Sequence, residues 1–294
     1  MNKQIIRLAV PVSIFIFLGY KLAGNWNNIK KYDLSINWLL FLTSLIVLDI
    51  TVIFAGWIWK IILEKVASKK IGFKTALQIH IWSWLLRYIP GKISSLLGKI
   101  YLANKNFGVS KKSLIIVSAY EYTFLIIASF TIGSYAFLNT SLFKNFNGFF
   151  IIALFLPIIL LPFILPKIFY PILNRVPTQE KISPQKIITI LPFYFINRAG
   201  VGAAFFLMAS SITGLKPEQA FFSGSAYVLA TIIGLLAIIT PNGLGVREGA
   251  LTIILSTIMS QELAITLAIS SRAWSVLADI LLVPILILHK KHLK

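Results

Sequence analysis

Six stretches of this chain are apolar over roughly the length of a bilayer: 4–22, 38–60, 113–138, 149–170, 187–211 and 263–288. The hydrocarbon core is about 30 Å thick and an α-helix rises about 1.5 Å per residue, so about 20 apolar residues cross it. The six stretches therefore predict membrane-spanning helices. Trp26, Trp38, Trp57 and Trp59 lie near proposed span ends, where amphipathic rings settle at the headgroup level. The first stretch opens with Lys3 and Arg7 like a signal peptide, but no small-x-small site comes after it, and it is expected to be a retained span.

The composition agrees. Hydrophobic residues make up 57% of the 294 and charged residues only 13%, against about a quarter charged in soluble domains. A formal charge of +19 can signal nucleic acid, but a mean hydropathy of +0.85 belongs to a chain that lives in lipid, so no nucleic-acid partner is expected. The absence of cysteine excludes disulfides, thiol nucleophiles and cysteine-ligated metals. The sequence carries no metal or cofactor motif.

Two further apolar regions are interrupted: 75–103 at Pro90-Gly91, and 219–258 at Pro241-Asn242-Gly243-Leu244-Gly245. Proline removes a backbone donor and clashes with the preceding turn, and glycine loosens the next turn. The pieces 75–89 and 92–103 are too short to cross alone, whereas 219–239 is long enough. Broken helices are tolerated at membrane depth only where protein or water covers them, so both regions are expected inside a bundle, as re-entrant hairpins.

Charge chooses the topology. With each broken region entering and leaving on one side, 17 of the 28 Lys and Arg fall on the side of the two termini and 5 on the other. With each as a single crossing the division is nearly even. The positive-inside rule selects the hairpins and puts both termini in the cytoplasm of a multi-pass cell-membrane protein. The chain is then one transmembrane domain, 1–294, of two repeats, about 1–138 and 149–288. Each has two spans, a hairpin and a span, and their topologies are inverted. Paired broken helices in inverted repeats mark transporters, with the binding site at the repeat interface.

The six cations outside this partition are Arg87, Lys92, Lys99, Arg198, Arg247 and Arg272. Four of the chain's six arginines are among them, while the loops use lysine almost alone. A cation in lipid needs a partner, and the guanidinium fork fits carboxylate or phosphate. The acids at similar depth are Asp49, Glu121, Glu248 and Asp279. Glu121 lies 31 residues after Pro90 and Arg272 lies 31 after Pro241. Asp49 precedes its proline by 41 and Arg198 precedes its own by 43. Matching positions thus carry opposite charges, which predicts Glu121 with Arg272 and Asp49 with Arg198, as buried pairs or in one polar cavity. Asp49, Glu121 and Asp279 are expected to balance charge. Glu248 suits a helix start or an anchor for Arg272.

After each break a helix begins with free N–H groups and a positive dipole end, which attract anions. Arg87, Pro90, Gly91, Lys92 and Lys99 surround the first start. Pro241, Gly243, Gly245, Arg247 and Glu248 surround the second. With Arg198 and Arg272 they form the expected substrate site, and a phosphate headgroup is the anion native to a bilayer. His80 is expected to pack in a half-helix, and His289 and His292 to meet headgroups.

The run Pro241-Asn242-Gly243-Leu244-Gly245-Val246-Arg247-Glu248-Gly249-Ala250 resembles the Pro-x-Gly-x-Gly-x-x-Glu stretch of the flippase-like membrane family that includes the transmembrane region of lysylphosphatidylglycerol synthases. Arg87-Tyr88-Ile89-Pro90-Gly91-Lys92 is similar to its earlier Pro-Gly motif, and the span pattern matches over nearly the whole length. The resemblance implies a lipid flippase for an anionic, phospho- or polyprenyl-linked lipid. No aminoacyl-transferase domain is read after the last span, so lipid translocation is expected rather than lipid synthesis. Two other readings stand beside it: a membrane-embedded enzyme acting on lipid-linked phosphate, and a non-transporting partner of an envelope lipid or glycan pathway. The partners expected are membrane lipids, with envelope biosynthesis enzymes or a second copy of the chain as further candidates.

Overall fold

The computed structural model describes residue 20 and residues 35–67, 70–88, 94–140, 187–237 and 243–288. The expected spans 4–22 (apart from residue 20) and 149–170 lie outside the described residues, as do His289 and His292. So do Pro90, Gly91, Lys92 and Pro241 of the expected site.

Eight helices are described: α1 (Trp38–Ala67), α2 (Phe73–Leu85), α3 (Ser94–Phe107), α4 (Lys111–Leu138), α5 (Leu191–Thr213), α6 (Ala220–Leu236), α7 (Val246–Leu255) and α8 (Gln261–Leu288). No strand occurs among the described residues. Among the described residues, five helices are long and apolar enough to cross a membrane: α1, α4, α5, α8, and α6 together with the 3-10 turn Pro217–Gln219 that leads into it. The chain is an all-α polytopic membrane protein.

Local chemistry sets the helix ends. Ser110 caps α4, its Oγ accepting from the Ser113 N–H at 3.1 Å, which satisfies one of the orphan donors of the first turn. Proline stands in the first turn of α5, where its missing N–H costs nothing. That helix stops at Gly214 in the left-handed region, φ 63°, the conformation glycine supplies most cheaply. In the first broken region α2 tightens into a 3-10 turn, Leu86–Tyr88, before the break. The Ser94 hydroxyl at the start of α3 donates back to the Leu86 carbonyl at 3.0 Å, tying the return helix to the turn.

The second break is built on backbone contact. Gly243 has φ +64°, and a Cβ there would lie 2.6 Å from the backbone of Gly234 on α6. Only glycine permits both the left-handed conformation and that approach. It folds α7 back against α6.

The helix pairings follow a two-fold scheme in which α1 to α4 correspond to α5 to α8. The α1–α2 contact is matched by α5–α6, α2–α3 by α6–α7, and α3–α4 by α7–α8. Likewise α1–α4 is matched by α5–α8, α4–α5 by α8–α1, and α4–α6 by α8–α2. The largest contact, α1 with α5, is its own counterpart. One core cluster gathers around α5, α6, α7 and α8 with Trp274 fully buried, and a second around α1, α2, α3 and α4 with Trp59 fully buried. The Trp274 indole donates to Ser44 Oγ of α1 at 2.9 Å, fastening α8 across the centre. Along one face of α1, Leu39, Leu42, Ile46 and Ile50 are exposed. In a membrane protein, lipid covers such a face at no cost.

Candidate functional site

The break in the second half carries the densest cluster. Glu248, at the third position of α7, is fully buried. Its Oε2 accepts the Gly245 N–H at 2.8 Å, and its Oε1 meets Arg247 Nε at 3.1 Å and Arg272 Nη1 of α8 at 3.9 Å. The helix start, expected to receive a ligand anion, is thus met by the helix's own carboxylate. Glu248 serves both as the acid at the helix start and as the anchor for Arg272. Arg247 also reaches Ser271 Oγ at 3.5 Å, and its guanidinium lies 5.6 Å from the centre of the Tyr227 ring on α6. A buried carboxylate shared by two guanidiniums leaves a net positive cluster.

In the first half the corresponding tie has reversed polarity. Lys99 of α3, itself buried, donates to Glu121 Oε1 of α4 at 2.6 Å, and its ammonium lies 4.7 Å from the centre of the Trp59 ring. The expected pairing of Glu121 with Arg272 is therefore corrected. Each of these residues pairs with an opposite charge on the return helix of its own half. The reason is geometric. The post-break helix packs on the last helix of the same half, α3 on α4 and α7 on α8, which puts a local partner nearer than the one across the bundle.

Arg87, in the turn after α2, pairs with Asp279 of α8, whose other oxygen accepts from the Trp84 indole at 2.8 Å. The Arg87 guanidinium also lies over the Trp84 ring at 4.0 Å. This ion pair joins an element of the first half to one of the second. His80 stacks on Trp84 with ring centres 6.4 Å apart, and both its ring nitrogens are buried without a hydrogen-bond partner.

A further cation, Arg198, stands on α5. Its Nε donates to Asn197 Oδ1 at 3.0 Å, and the Asn197 amide donates to the Thr51 carbonyl of α1 at 2.7 Å. No carboxylate among the described residues lies within ion-pair distance of Arg198, so the expected Asp49–Arg198 pair is corrected as well. Tyr194 and Tyr227 are within electrostatic reach of Arg198, and Tyr227 also carries the Arg247 contact. Asp49, half-buried on α1, has its Oδ1 enclosed without a hydrogen-bond partner. The break in α1–α5 symmetry comes from the side chains. Asn197 takes the arginine fork, and its signal in the sequence was an amide beside Arg198 in an otherwise apolar helix. Trp84 and Ser271 gave no such signal, since an indole and a hydroxyl are ordinary in apolar helices.

Beside the second cluster, an open groove of about 500 Å³ runs along α8, lined by Ile269, Arg272, Ala273, Val276 and Leu277. Its lining is almost wholly apolar.

No curated protein and no solved structure gives a significant match to the chain. The family model described as the lysylphosphatidylglycerol synthase TM region matches residues 4–282. With a multi-helix membrane fold and a match over nearly its whole length, the chain belongs to the lysylphosphatidylglycerol synthase transmembrane-region family.

Proposed function

We propose that this protein is a flippase-like transporter that moves an anionic, phosphate-bearing lipid, a phospholipid or a polyprenyl-linked lipid, across the cell membrane. The observation that carries the reading is Arg198, a cation deep in an apolar bundle with no carboxylate within reach among the described residues. Such a charge is costly in lipid unless an anion visits it. Arg247, 5.6 Å from the Tyr227 ring, shares a single carboxylate with Arg272. A headgroup phosphate entering between α5 and the second hairpin would meet guanidinium forks suited to bidentate contact, and the groove on α8 would take a chain.

The matched helix pairings support inverted repeats that rock against each other around this site, with both termini cytoplasmic. Because the chain has no cysteine, single-cysteine reporters at positions 110 and 216 can test the topology directly. Labelling by a membrane-impermeant thiol reagent is expected from opposite faces.

The function is tested in proteoliposomes carrying headgroup-labelled anionic lipids, read by access of an impermeant quencher. Protein-dependent exposure of inner-leaflet label, with the lipid chemically unchanged, is the expected result, and Arg198→Gln should lose it. A chemically altered lipid would favour the membrane-enzyme reading. No exposure across a panel of phospholipids and polyprenyl phosphates would overturn transport and favour the partner reading.

A further inference from the structure

Two carboxylates, Asp49 of α1 and Asp279 of α8, lie on helices that pack together across the two halves. Asp279 is committed: Arg87 pairs with one oxygen and the Trp84 indole donates to the other. Asp49 has neither kind of partner. Its Oδ1 is enclosed and makes no hydrogen bond, and the charge that acts on it is the like charge of Asp279. The other titratable or charged groups on elements packed against α1 include Lys74 and His80 of α2 with Arg87 beyond it, Lys99 of α3, Tyr120, Glu121 and Tyr122 of α4, Tyr194 and Arg198 of α5, and Glu262 and Arg272 of α8, of which Arg272 is tied to Glu248. Lys99 and Glu121 neutralise each other, Arg87 is held by Asp279, and Arg198 is held by Asn197. None of them pairs with Asp49.

An ionised carboxylate with an enclosed, unpartnered oxygen is far more costly in an apolar medium than a neutral acid, and a second carboxylate nearby adds repulsion. We propose that Asp49 is the proton-coupling site of this transporter, holding a proton in the conformation described and releasing it to water when the halves move apart. This rests on the transport reading above and names its driving ion. The step is a simple exchange: the Asp49 O–H bond breaks, the proton passes to water, and the carboxylate keeps the electron pair. The ionised Asp49 then repels Asp279 across the α1–α8 contact and disfavours this conformation until the carboxylate is protonated again. Protonation and the position of the halves are thus two readings of one equilibrium.

Two measurements separate this proposal from the transport reading. The first is infrared spectroscopy of the protein in lipid, titrated in pH. A protonated-carboxyl band present in wild type, absent in Asp49→Asn, retained in Asp279→Asn and displaced in Asp49→Glu is expected. The Glu variant keeps the group and guards against a misfolded Asn variant. Identical spectra for wild type and a folded Asp49→Asn would overturn the proposal, whether or not lipid is transported. The second is translocation of labelled anionic lipid under an imposed pH gradient with the membrane potential clamped. For one proton per lipid, accumulation is expected to reach about tenfold per pH unit, since one unit is a tenfold ratio of proton concentration. Asp49→Glu should keep this response, and Asp49→Asn should abolish it. Gradient-independent transport by the wild type would also overturn the proposal. The Asp49 band without translocation of any lipid would leave the proton site standing and refute the transport reading.

Discussion

Arg272 Nη1 lies 3.9 Å from Glu248 Oε1, and at the corresponding place in the other half Glu121 Oε1 lies 2.6 Å from Lys99 Nζ. In both halves the helix that returns from the break is tied to the last helix by a buried ion pair, with acid and base exchanged. The tie holds a helix of only 14 or 10 residues against its neighbour.

Loss of the shared acid is expected to be severe. Glu248→Gln leaves Arg247 and Arg272 without their carboxylate in a buried setting, and breaking a buried pair by removing one partner costs about 3–5 kcal/mol. Thermal unfolding of the purified protein in lipid nanodiscs should show a large drop in midpoint. A midpoint equal to wild type would mean that the pair is solvated.

Charge exchange should succeed within a half and fail across the halves. Lys99→Glu with Glu121→Lys is expected to recover much of the stability that each single change loses. Glu121→Arg with Arg272→Glu should recover none, because these residues pair with other groups. Unfolding midpoints of the two double variants against their singles measure the difference as coupling energies.

Glycine substitutions in the second hairpin should diverge in sign. Gly243→Ala places a Cβ 2.6 Å from the Gly234 backbone at a φ of +64°, so the hairpin must open or the chain must misfold. Gly249→Ala on α7 meets nothing within 4 Å and is expected to stabilise the helix by about 0.5–1 kcal/mol. Yield of monodisperse protein and unfolding midpoint report both.

Arg198 is expected to matter for transport more than for folding. Arg198→Gln removes a charge that no carboxylate neutralises, so little stability should be lost. A charged hydrogen bond to a phosphate is worth about 1.5–3 kcal/mol, which predicts a fall in lipid translocation of about tenfold or more. Arg198→Lys should restore the charge but not the fork to Asn197. A rate for Arg198→Gln equal to wild type at sub-saturating lipid would remove Arg198 from the site.

Much of the architecture was legible in the sequence, because its causes are local. Transfer of about 20 apolar residues into lipid sets a span wherever it occurs. The expected segments 38–60, 113–138, 187–211 and 263–288 correspond to α1, α4, α5 and α8 within a few residues at most ends, the C-terminal end of α1 running seven residues further. The described helices stop before Pro90 and Pro241 and resume at Ser94 and Val246, on either side of the prolines and glycines from which the interruptions were expected. Of the expected charges, Lys99, Arg247, Glu248 and Asp279 are buried and Arg87, Arg198, Arg272, Asp49 and Glu121 half-buried, and rarity in apolar sequence, a property of the chain alone, had singled them out.

The partners of those charges were not legible in the sequence. Arg87 and Asp279 are 192 residues apart, and the Trp84 indole that completes their contact looks like any aromatic in an apolar helix. Internal symmetry suggested that opposite charges at matching positions would meet across the axis, yet Glu121 and Arg272 each found a nearer partner on its own return helix. Ion pairs form over a few ångströms, so which one forms depends on the helix faces that packing brings together. Hydrophobic length and backbone chemistry write the helices into the chain. The choice among several buried charges of the same sign belongs to the packed bundle, where a rotation of one helix by a single residue would select a different pair.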